Sequence, residues 1–408
     1  MAGDKTRPRE NLVLAPVLIP HRSLPLSQVT TETVTSLEDV AALRTDYEHL
    51  RRVTGNTLPF ALHEWHLTWC QHFLNCDPYI HDEPLFYILR DSARNAVAIL
   101  PFILSRRRLG PVKIVSLCLL GADPAITEVR APLIERGYEH VTAAAVRAGL
   151  RKVLDWDWIH WTGVDQEFAE ALNAGRALEW QPPQEDFVLE LPPTWDEFRS
   201  KLKRNIRESL RHCYNSLKRD GHPFELQVIE DPAHIRPGLD QFLALHRMRA
   251  GTSNMADHPD RFASEVCRDF LYAVCERLAV RGAVRLFAIK IGPRVVAMRL
   301  GFVVGDSLYL YYSGFDPAWA RYSVMTTTVA EAIKYAIGQG LRTVHLSPTR
   351  DISKTRWGPR QVDYGSAYEP KDRLRSRLAH RAYLRARSET GFPSKLLQRL
   401  NAARRMWQ

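Results

Sequence analysis

Several patterns that would assign a reaction directly are missing from this sequence. Its six cysteines include no CxxC pair, which argues against a zinc knuckle, a redox dithiol or a disulfide framework. It also contains no GxxxxGK(S/T) loop, no GxGxxG and no GxSxG. These absences disfavour a kinase, a dehydrogenase and a serine hydrolase.

Long apolar runs are missing as well. No uninterrupted apolar run approaches the roughly 20 residues that span a bilayer. The first residues, MAGDKTRPRENLVLAP, lack the apolar stretch of a signal peptide. We therefore expect a cytoplasmic protein. The 408 residues, 45% hydrophobic and 25% charged, suffice for two or three domains with proper cores.

The segment HEWHLTWCQH, residues 63–72, looks at first like a metalloprotease motif. Such a motif needs two residues between the glutamate and the second histidine, so that both imidazoles share one helix face. Here only Trp65 separates Glu64 from His66. We therefore expect an ordinary helix and no metal site.

A weak internal repeat indicates two similar domains. The segments LFYIL at 85–89 and VAILPF at 97–102 resemble LFAIK at 286–290 and VAMRLGF at 296–302, and each pair reads as strand, turn, strand. The proline-rich segment QPPQEDFVLELPPT at 181–194 marks a junction. The predicted boundaries are an N-terminal arm at 1–30, a first domain at 31–182, a second domain at 183–370 and a basic helical tail at 371–408.

The second domain reads as strands interleaved with helices. It opens with Thr194-Trp195-Asp196-Glu197, a capping-box pattern, and one long basic helix should follow up to Gly221. Further helices are predicted over 239–248, 262–278 and 326–338, and strands over 284–290, 295–304, 307–313 and 343–346. The fold class is therefore α/β or α+β. Because the strands from 284 to 313 follow each other as hairpins, we expect a mixed, largely antiparallel sheet rather than a doubly wound parallel one.

The C-terminal tail carries most of the surplus positive charge. From Lys371 onward there are eleven Lys and Arg against two Asp and Glu. Together with its leucines, this charge suits either a docked basic helix with a solvated face or a peripheral contact with an anionic membrane or RNA.

Residues 309–326 read YLYYSGFDPAWARYSVMT. This pattern predicts an aromatic strand, followed by a glycine turn and a polar helix start. Around it occur, in chain order, KLKRNIRESLR, FLALHRMR, VVAMRLGFVVGDSLYLYYSGFDPAWARYS, TTTVAEAIKYAIGQG and Lys354-x-x-Trp357. In order and spacing these segments, from Thr194 to Trp357, resemble GNAT-superfamily acetyltransferases of the BioF2-like and cellulose-biosynthesis (CelD-like) type, which are related to the FemAB transferases. The resemblance implies two tandem GNAT-like domains, the first of them degenerate.

The same resemblance implies a site for acyl-CoA as co-substrate, with the pyrophosphate at a helix N-terminus. The residues at that place are Arg321, Ser323, Thr326 and Thr327. The family usually reads Ser-Pro-Gly at this turn, whereas this chain reads Ser323-Val324-Met325. The glycine that allows close approach of the backbone to a phosphate is therefore missing.

Acyl transfer also needs a base for the nucleophile's proton and a donor for the developing negative charge. We expect His345 or Asp351 as base and Tyr311, Tyr312 or Lys354 as donor, and the resemblance implies that His246 faces the cleft. The alternatives are structural: strand tyrosines in the core, an Asp351–Lys354 ion pair and a satisfied core histidine. No cysteine or serine lies in a nucleophile motif, so the attack is expected to be direct.

The predicted function is transfer of an acyl group from acyl-CoA to an amine or hydroxyl of a small metabolite or saccharide precursor. One alternative is a FemAB-like transferase that takes an aminoacyl group from tRNA, which suits the missing glycine and the basic helix and tail. Another is a non-catalytic binding or scaffold protein for polysaccharide biosynthesis. Fold alone does not choose among these functions.

Overall fold

The chain forms two similar halves whose strands join into one mixed sheet. The computed structural model describes residues 26–74, 76, 80–109, 112–121, 126–151, 156–174, 178–251 and 259–387. The strands of the first half are β1 (Thr30–Val34), β2 (Ile80–Arg90), β3 (Ala96–Leu109), β4 (Val112–Leu119), β5 (Leu133–Ile134) and β6 (Trp158–Val164). Its helices are α1 (Leu37–Ala42), α2 (Arg44–Thr54), α3 (His63–Phe73), α4 (Glu139–Leu150) and α5 (Gln166–Asn173), with 3-10 turns at Leu26–Gln28 and Pro59–Ala61.

The second half begins with a strand that crosses over from the first. Its strands are β7 (Glu179–Glu190), β8 (Phe224–Ile229), β9 (Val284–Ile291), β10 (Arg294–Val304), β11 (Ser307–Phe315), β12 (Thr343–His345) and β13 (Arg360–Pro370). Its helices are α6 (Trp195–Lys201), α7 (Arg204–Arg219), α8 (Pro232–Ala250), α9 (Glu265–Val280), α10 (Val324–Gly338), α11 (Ile352–Thr355) and α12 (Leu374–Arg387), with a 3-10 turn at Pro317–Tyr322. Within the described ranges, no helix is long and apolar enough to cross a membrane.

Both halves use the same pairing pattern. Strands β1 to β4 are antiparallel neighbours, and β6 pairs in parallel with β4. Strands β8 to β11 are likewise antiparallel neighbours, and β12 pairs in parallel with β11. The repeated segments form the equivalent hairpins β2–β3 and β9–β10. The predicted fold class, two tandem domains with mixed, largely antiparallel sheets, is confirmed, while the exact boundaries stay predictions.

The two halves exchange strands at the centre of the sheet. The full order is β1-β2-β3-β4-β6-β13-β7-β12-β11-β10-β9-β8, with β5 on β3. Strand β7 leaves the first half to pair with β12, and β13 returns from the second half to lie between β6 and β7. A side chain of either half can therefore reach the other across this seam.

Buried side chains join the halves on one face of the sheet. Trp65 of α3 packs edge-on against Phe270 of α9 and against Tyr311 of β11. Beside it, the buried Glu64 carboxylate accepts hydrogen bonds from Arg44 at 2.6 Å and Arg281 at 2.9 Å. The segment 63–72 is thus part of a core helix that ties the halves together.

Local sequence explains where the helices near the site begin and end. The Thr194 side chain accepts a hydrogen bond from the Glu197 N–H at 3.2 Å, as the capping box predicts. The prediction of one long basic helix is wrong, because Leu202 is extended (φ −69°, ψ 145°) and separates α6 from α7. Leu202 is buried in the core, so packing overrides the helix propensity of the surrounding residues.

The tail helix docks on the sheet. Ser376 of α12 donates a hydrogen bond to the buried Asp157 carboxylate at 2.9 Å, and Arg375 reaches the same oxygen at 3.3 Å. Ala379 and His380 pack beside Trp158 and Tyr368. A docked basic helix therefore describes residues 374–387, and the rest of the predicted tail, 388–408, lies outside the described residues.

Candidate active site

The first cavity lies where strands β11 and β12 separate. These strands pair only from Ser307 to Tyr309, after which β11 continues to Phe315 and β12 ends at His345. The gap holds a cavity of about 490 Å³ between the start of α10 and α11. Its apolar wall consists of Phe315, Ala320, Val324, Met325, Val329, Leu346 and Trp357.

A second cavity of about 290 Å³ adjoins the first. Both cavities are lined by Arg249, Arg299, Ser313, Asp351, Ser353 and Lys354, which form their junction. Glu128, a residue of the first half, also lines the second cavity. Donor and acceptor of a group transfer would meet at such a junction.

A glycine and a bulge set the geometry of the junction. A Cβ on Gly314 would lie 2.3 Å from the His246 nitrogen, so only glycine lets α8 lie directly on β11. The pairing of β10 with β11 shifts register between Arg299 and Gly301, which leaves Tyr311 and Tyr312 of β11 opposite Leu300 alone. Bulges of this kind redirect side chains next to active sites.

The start of α10 faces the first cavity and leaves amides unpaired within the helix. Ser323 adopts a left-handed conformation (φ 52°, ψ 42°), and its side chain makes no capping hydrogen bond. Its carbonyl oxygen accepts from the N–H groups of Thr326 at 2.8 Å and Thr327 at 3.3 Å. The N–H groups of Val324 and Met325 have no acceptor within the helix, as at any helix start, and suit an anion.

The four residues predicted to hold coenzyme A are only partly brought together. Ser323 and Thr326 line the first cavity. Thr327 is fully buried in α10 and is not among the lining residues. Arg321 is exposed, its guanidinium donates to the Tyr322 hydroxyl at 2.6 Å, and that hydroxyl donates to Asp220 at 3.0 Å. The Arg321 side chain therefore turns away from the cavity.

Glu128 is a candidate base that the sequence reasoning missed. Its carboxylate accepts a hydrogen bond from the Tyr309 hydroxyl at 2.8 Å. Burial raises the pKa of Glu128 to about 7, although Tyr309 and the charges of Lys354 and Arg299 act in the opposite direction. A carboxylate with this pKa exchanges a proton near neutral pH.

Lys354 lies in the short helix α11, which follows a loop with unusual backbone geometry. Its ammonium group donates hydrogen bonds to the carbonyl oxygens of Pro348 and Thr349. Burial lowers the pKa of Lys354 to about 8, against the nearby charge of Glu128. Ser347 and Thr349 both have positive φ, at 66° and 77°, which non-glycine residues rarely adopt away from functional sites.

Asp351 lines both cavities and also has a structural role. Its carboxylate accepts from the Ser353 N–H at 2.8 Å and so begins α11. In the described residues no ion pair joins Asp351 to Lys354 within 4.0 Å. The structural alternative of an Asp351–Lys354 ion pair is therefore not supported, and both residues lie at the junction.

The histidines have different positions. His345 donates a hydrogen bond from Nδ1 to the Asp186 carboxylate at 2.8 Å, stacks on Tyr309 and is not among the residues that line either cavity. His246 lines the second cavity, but Nδ1 contacts the Ser313 carbonyl oxygen at 2.9 Å and Nε2 accepts from the Arg261 N–H at 3.3 Å. Burial lowers the pKa of His246, which favours the neutral ring.

The two predicted tyrosines also lie at the second cavity. The Tyr311 hydroxyl donates to the Ile126 carbonyl oxygen at 2.6 Å, which fixes the ring and the loop that carries Glu128. Tyr312 packs edge-on against Tyr311 and His246. Five of the six catalytic candidates thus line the second cavity, and His345 lies behind Tyr309.

The equivalent place in the first half is acidic. A cavity of about 430 Å³ at the start of α4 is lined by Glu139, Asp165 and Glu167 among others. The Glu139 carboxylate accepts from the Gly137 N–H at 2.8 Å, where an anion would otherwise approach. Arg136 lines the same cavity, so carboxylates and a guanidinium group both lie at the start of α4.

Residues 204–359 match the family described as acetyltransferase (GNAT) domain. The structure resembles the crystal structure of FemX, with 10% identity, a TM-score of 0.53, and coverage of 82% of this chain and 96% of that one. It also resembles the C-terminal domain (DUF2156) of a protein from Agrobacterium fabrum provisionally named lysylphosphatidylglycerol synthetase, with 10% identity, a TM-score of 0.50, and coverage of 86% and 97%. No curated protein matches the sequence. The part of the chain that is similar to this family is therefore residues 204–359, which contain β8 to β12 and α7 to α11.

Proposed function

We propose that the protein transfers an acyl group from acyl-CoA to an amine or hydroxyl of a small acceptor. The observation that carries this proposal is the continuous path from the start of α10, through the apolar first cavity, to the junction and Glu128. Coenzyme A has an anionic end, an apolar arm and a reactive thioester in that order. The polar start, apolar wall and charged junction of the path follow the same order.

The chemistry assigned to the junction needs one proton acceptor and one proton donor. Ionised Glu128 takes a proton from the acceptor's nitrogen or oxygen as that atom attacks the thioester carbon. The new bond forms while the carbon–sulfur bond breaks, and the thiolate receives a proton from Lys354. With pKa values of about 7 and about 8, these two groups exchange protons readily near neutral pH.

The test compares two substitutions at the start of α10. Ser323→Asp places a negative charge against the donor's phosphates, while Ser323→Asn is a neutral control of similar size, and both residue types tolerate the left-handed conformation. At ~100 times its dissociation constant a ligand adds roughly 2.7 kcal/mol of stability. Acetyl-CoA should therefore raise the melting temperature of wild type and Ser323→Asn clearly more than that of Ser323→Asp. Equal shifts in all three proteins, or none, would contradict the proposal.

A second candidate is transfer of an aminoacyl group from tRNA. It is favoured by a groove of about 760 Å³ along α6 and α7 that carries Arg199, Arg204, Arg207, Arg211 and Lys334 beside the aromatic rings of Trp195 and Tyr214. Basic and aromatic side chains together suit single-stranded nucleic acid. Binding of bulk tRNA that weakens steeply with salt, without any effect of acetyl-CoA, would favour this candidate. The scaffold alternative requires a filled cleft, which the two open cavities do not support.

A further inference from the structure

Two arginine side chains meet at the junction without a carboxylate partner. Arg299 projects from β10 and Arg249 from the last turn of α8, and each lines both cavities. The Nε atoms of both guanidinium groups are buried and have no hydrogen-bond partner among the described residues. Arg249 donates one hydrogen bond, to the Ser313 hydroxyl at 2.6 Å. Arg299 makes only long contacts, 3.3 and 3.4 Å, with carbonyl oxygens of β11.

Two other arginines in the described residues show what a direct carboxylate partner looks like. Arg90 forms an ion pair with Asp46 at 2.8 Å, and Arg281 with Glu64 at 2.9 Å. In the described parts of the chain, no carboxylate oxygen lies within 4.0 Å of the nitrogens of Arg249 or Arg299. Burial and the charge of Arg249 lower the pKa of Arg299 to about 10. Two neighbouring cations held in this way need a counter-charge.

The charges of Glu128 and Asp351 act on Arg299 and Arg249, but each carboxylate makes its hydrogen bond with another group. Glu128 accepts from Tyr309, and Asp351 accepts from the amide that begins α11. The donor does not supply the missing charge in the proposed arrangement, because its phosphates lie at the start of α10 and its thioester is uncharged. An anionic group on the molecule in the second cavity would give both guanidinium groups the direct partner that they lack.

Resting on the proposed function, we infer that the acceptor carries an anionic group, a carboxylate or a phosphate, which Arg249 and Arg299 bind at the junction of the two cavities. Guanidinium groups bind such oxyanions through paired hydrogen bonds. Glu128 lies on the wall of the same cavity and receives the proton of the nucleophile. The acceptor class is therefore an amine or alcohol that also bears an acidic group, such as an amino acid or a phosphorylated amine.

The anion site can be tested without turnover. Sodium acetate and sodium phosphate are the probes, with sodium chloride at equal ionic strength as reference. The variants are Arg299→Gln and Arg249→Gln, and Arg294→Gln is the control because Arg294 is an exposed residue of the same strand. One of the two probes should raise the melting temperature of wild type and Arg294→Gln by about 1–2 °C at ten times its dissociation constant. The shift should disappear in both junction variants, and the effective probe tells carboxylate from phosphate.

A second measurement separates acceptor binding from a role of the arginines in polarising the thioester. With acetyl-CoA as donor, amino acids are compared with their decarboxylated amines, and phosphorylated amines with the unphosphorylated ones. In wild type the acidic acceptor of the effective kind should have a kcat/KM at least about 10-fold higher, since a hydrogen bond to a charged group contributes roughly 1.5–3 kcal/mol. Arg299→Gln should abolish this preference.

The outcomes for the two proposals differ. Probe shifts that are absent from wild type, or equal in Arg299→Gln and Arg294→Gln, overturn the anion site, and so does an unchanged acceptor preference in Arg299→Gln. If acetyl-CoA does not bind but the arginine-dependent probe shift persists, the acyl-CoA proposal fails and the anion site stands. If acetyl-CoA binds and the probes do not, only the anion site fails.

Discussion

Replacing Glu128 by glutamine should make the protein more stable and less active. Glutamine keeps an oxygen that accepts the hydrogen bond of Tyr309 but never ionises. Burial raises the pKa of Glu128 from its usual 4.5 to about 7. In the unfolded chain the carboxyl ionises near its usual value, so wild type loses stability as the pH rises from about 4.5 to about 7, and Glu128→Gln does not.

The size of the effect follows from the two pKa values. One pKa unit corresponds to about 1.4 kcal/mol, so the rise to about 7 corresponds to about 3 kcal/mol at most. Because the carboxylate borders a cavity, solvent reduces this figure, and we expect Glu128→Gln to exceed wild type by about 2 kcal/mol at pH 8 and by nearly nothing at pH 4.5. Urea unfolding at a series of pH values measures this difference. The control is Glu225→Gln, an exposed glutamate of β8.

Activity should change in the opposite direction. As a general base, Glu128 contributes roughly 10²- to 10⁴-fold, so kcat should fall by that factor in Glu128→Gln. In wild type, kcat/KM should rise with pH up to about 7, as Glu128 ionises, and fall again above about 8, as Lys354 loses its proton, and the rise should be absent from the variant. A stability difference that does not depend on pH, or a variant with wild-type kcat, would refute the assignment of Glu128 as a buried base.

Three further substitutions test the packing around the site. Gly314→Ala should destabilise the protein by about 3 kcal/mol in urea unfolding, because the new Cβ would lie 2.3 Å from the backbone nitrogen of His246. A change below about 0.5 kcal/mol would contradict this close packing of α8 on β11. Ser323→Gly should stabilise the protein by about 1 kcal/mol in the same assay, because Ser323 has a φ of 52°, which costs free energy in a residue with a Cβ. A loss of stability would show that contacts of the Ser323 side chain contribute more than this backbone strain costs. Glu64→Gln should cost about 1 kcal/mol, because the hydrogen bonds that Arg44 and Arg281 make with the buried side chain lose their charge while Arg281 keeps its ion pair with Glu48, and a neutral effect would mean that this contact does not hold the halves together.

Much of the fold was predictable because it depends on local patterns. The hairpins of both halves follow from short apolar segments around turn residues, and the helix starts at Ser264 and Thr194 follow from capping side chains. The break at Leu202 was not predictable, since it depends on burial of one leucine in a core formed by distant residues. The exchange of β7 and β13 is likewise a matter of pairing between strands, which a single sequence does not reveal.

The candidate site was predictable where one segment supplies it. The motifs that carry the resemblance contain or adjoin most of the residues that line the two cavities. These are the turn at Ser323, the tyrosines of β11, and Asp351 and Lys354 at α11. A charge inside the apolar strand RVVAMRLGFVV could have drawn attention to Arg299, because a buried charge requires a partner or a function. For Arg249 the sequence offered only its place in FLALHRMR.

Glu128 could not be found in this way, and the reason bears on how the two halves work together. It follows β4 of the first half and contacts Tyr309, which is 181 residues away in the chain. The Tyr311 hydroxyl holds the same loop through Ile126, 185 residues away. The loop from 126 to 132 is thus positioned by β11 of the second half, while the first cavity is lined by residues of the second half alone. Substitutions in this loop should therefore change the acceptor reaction and its pH dependence while leaving the binding of acetyl-CoA unchanged.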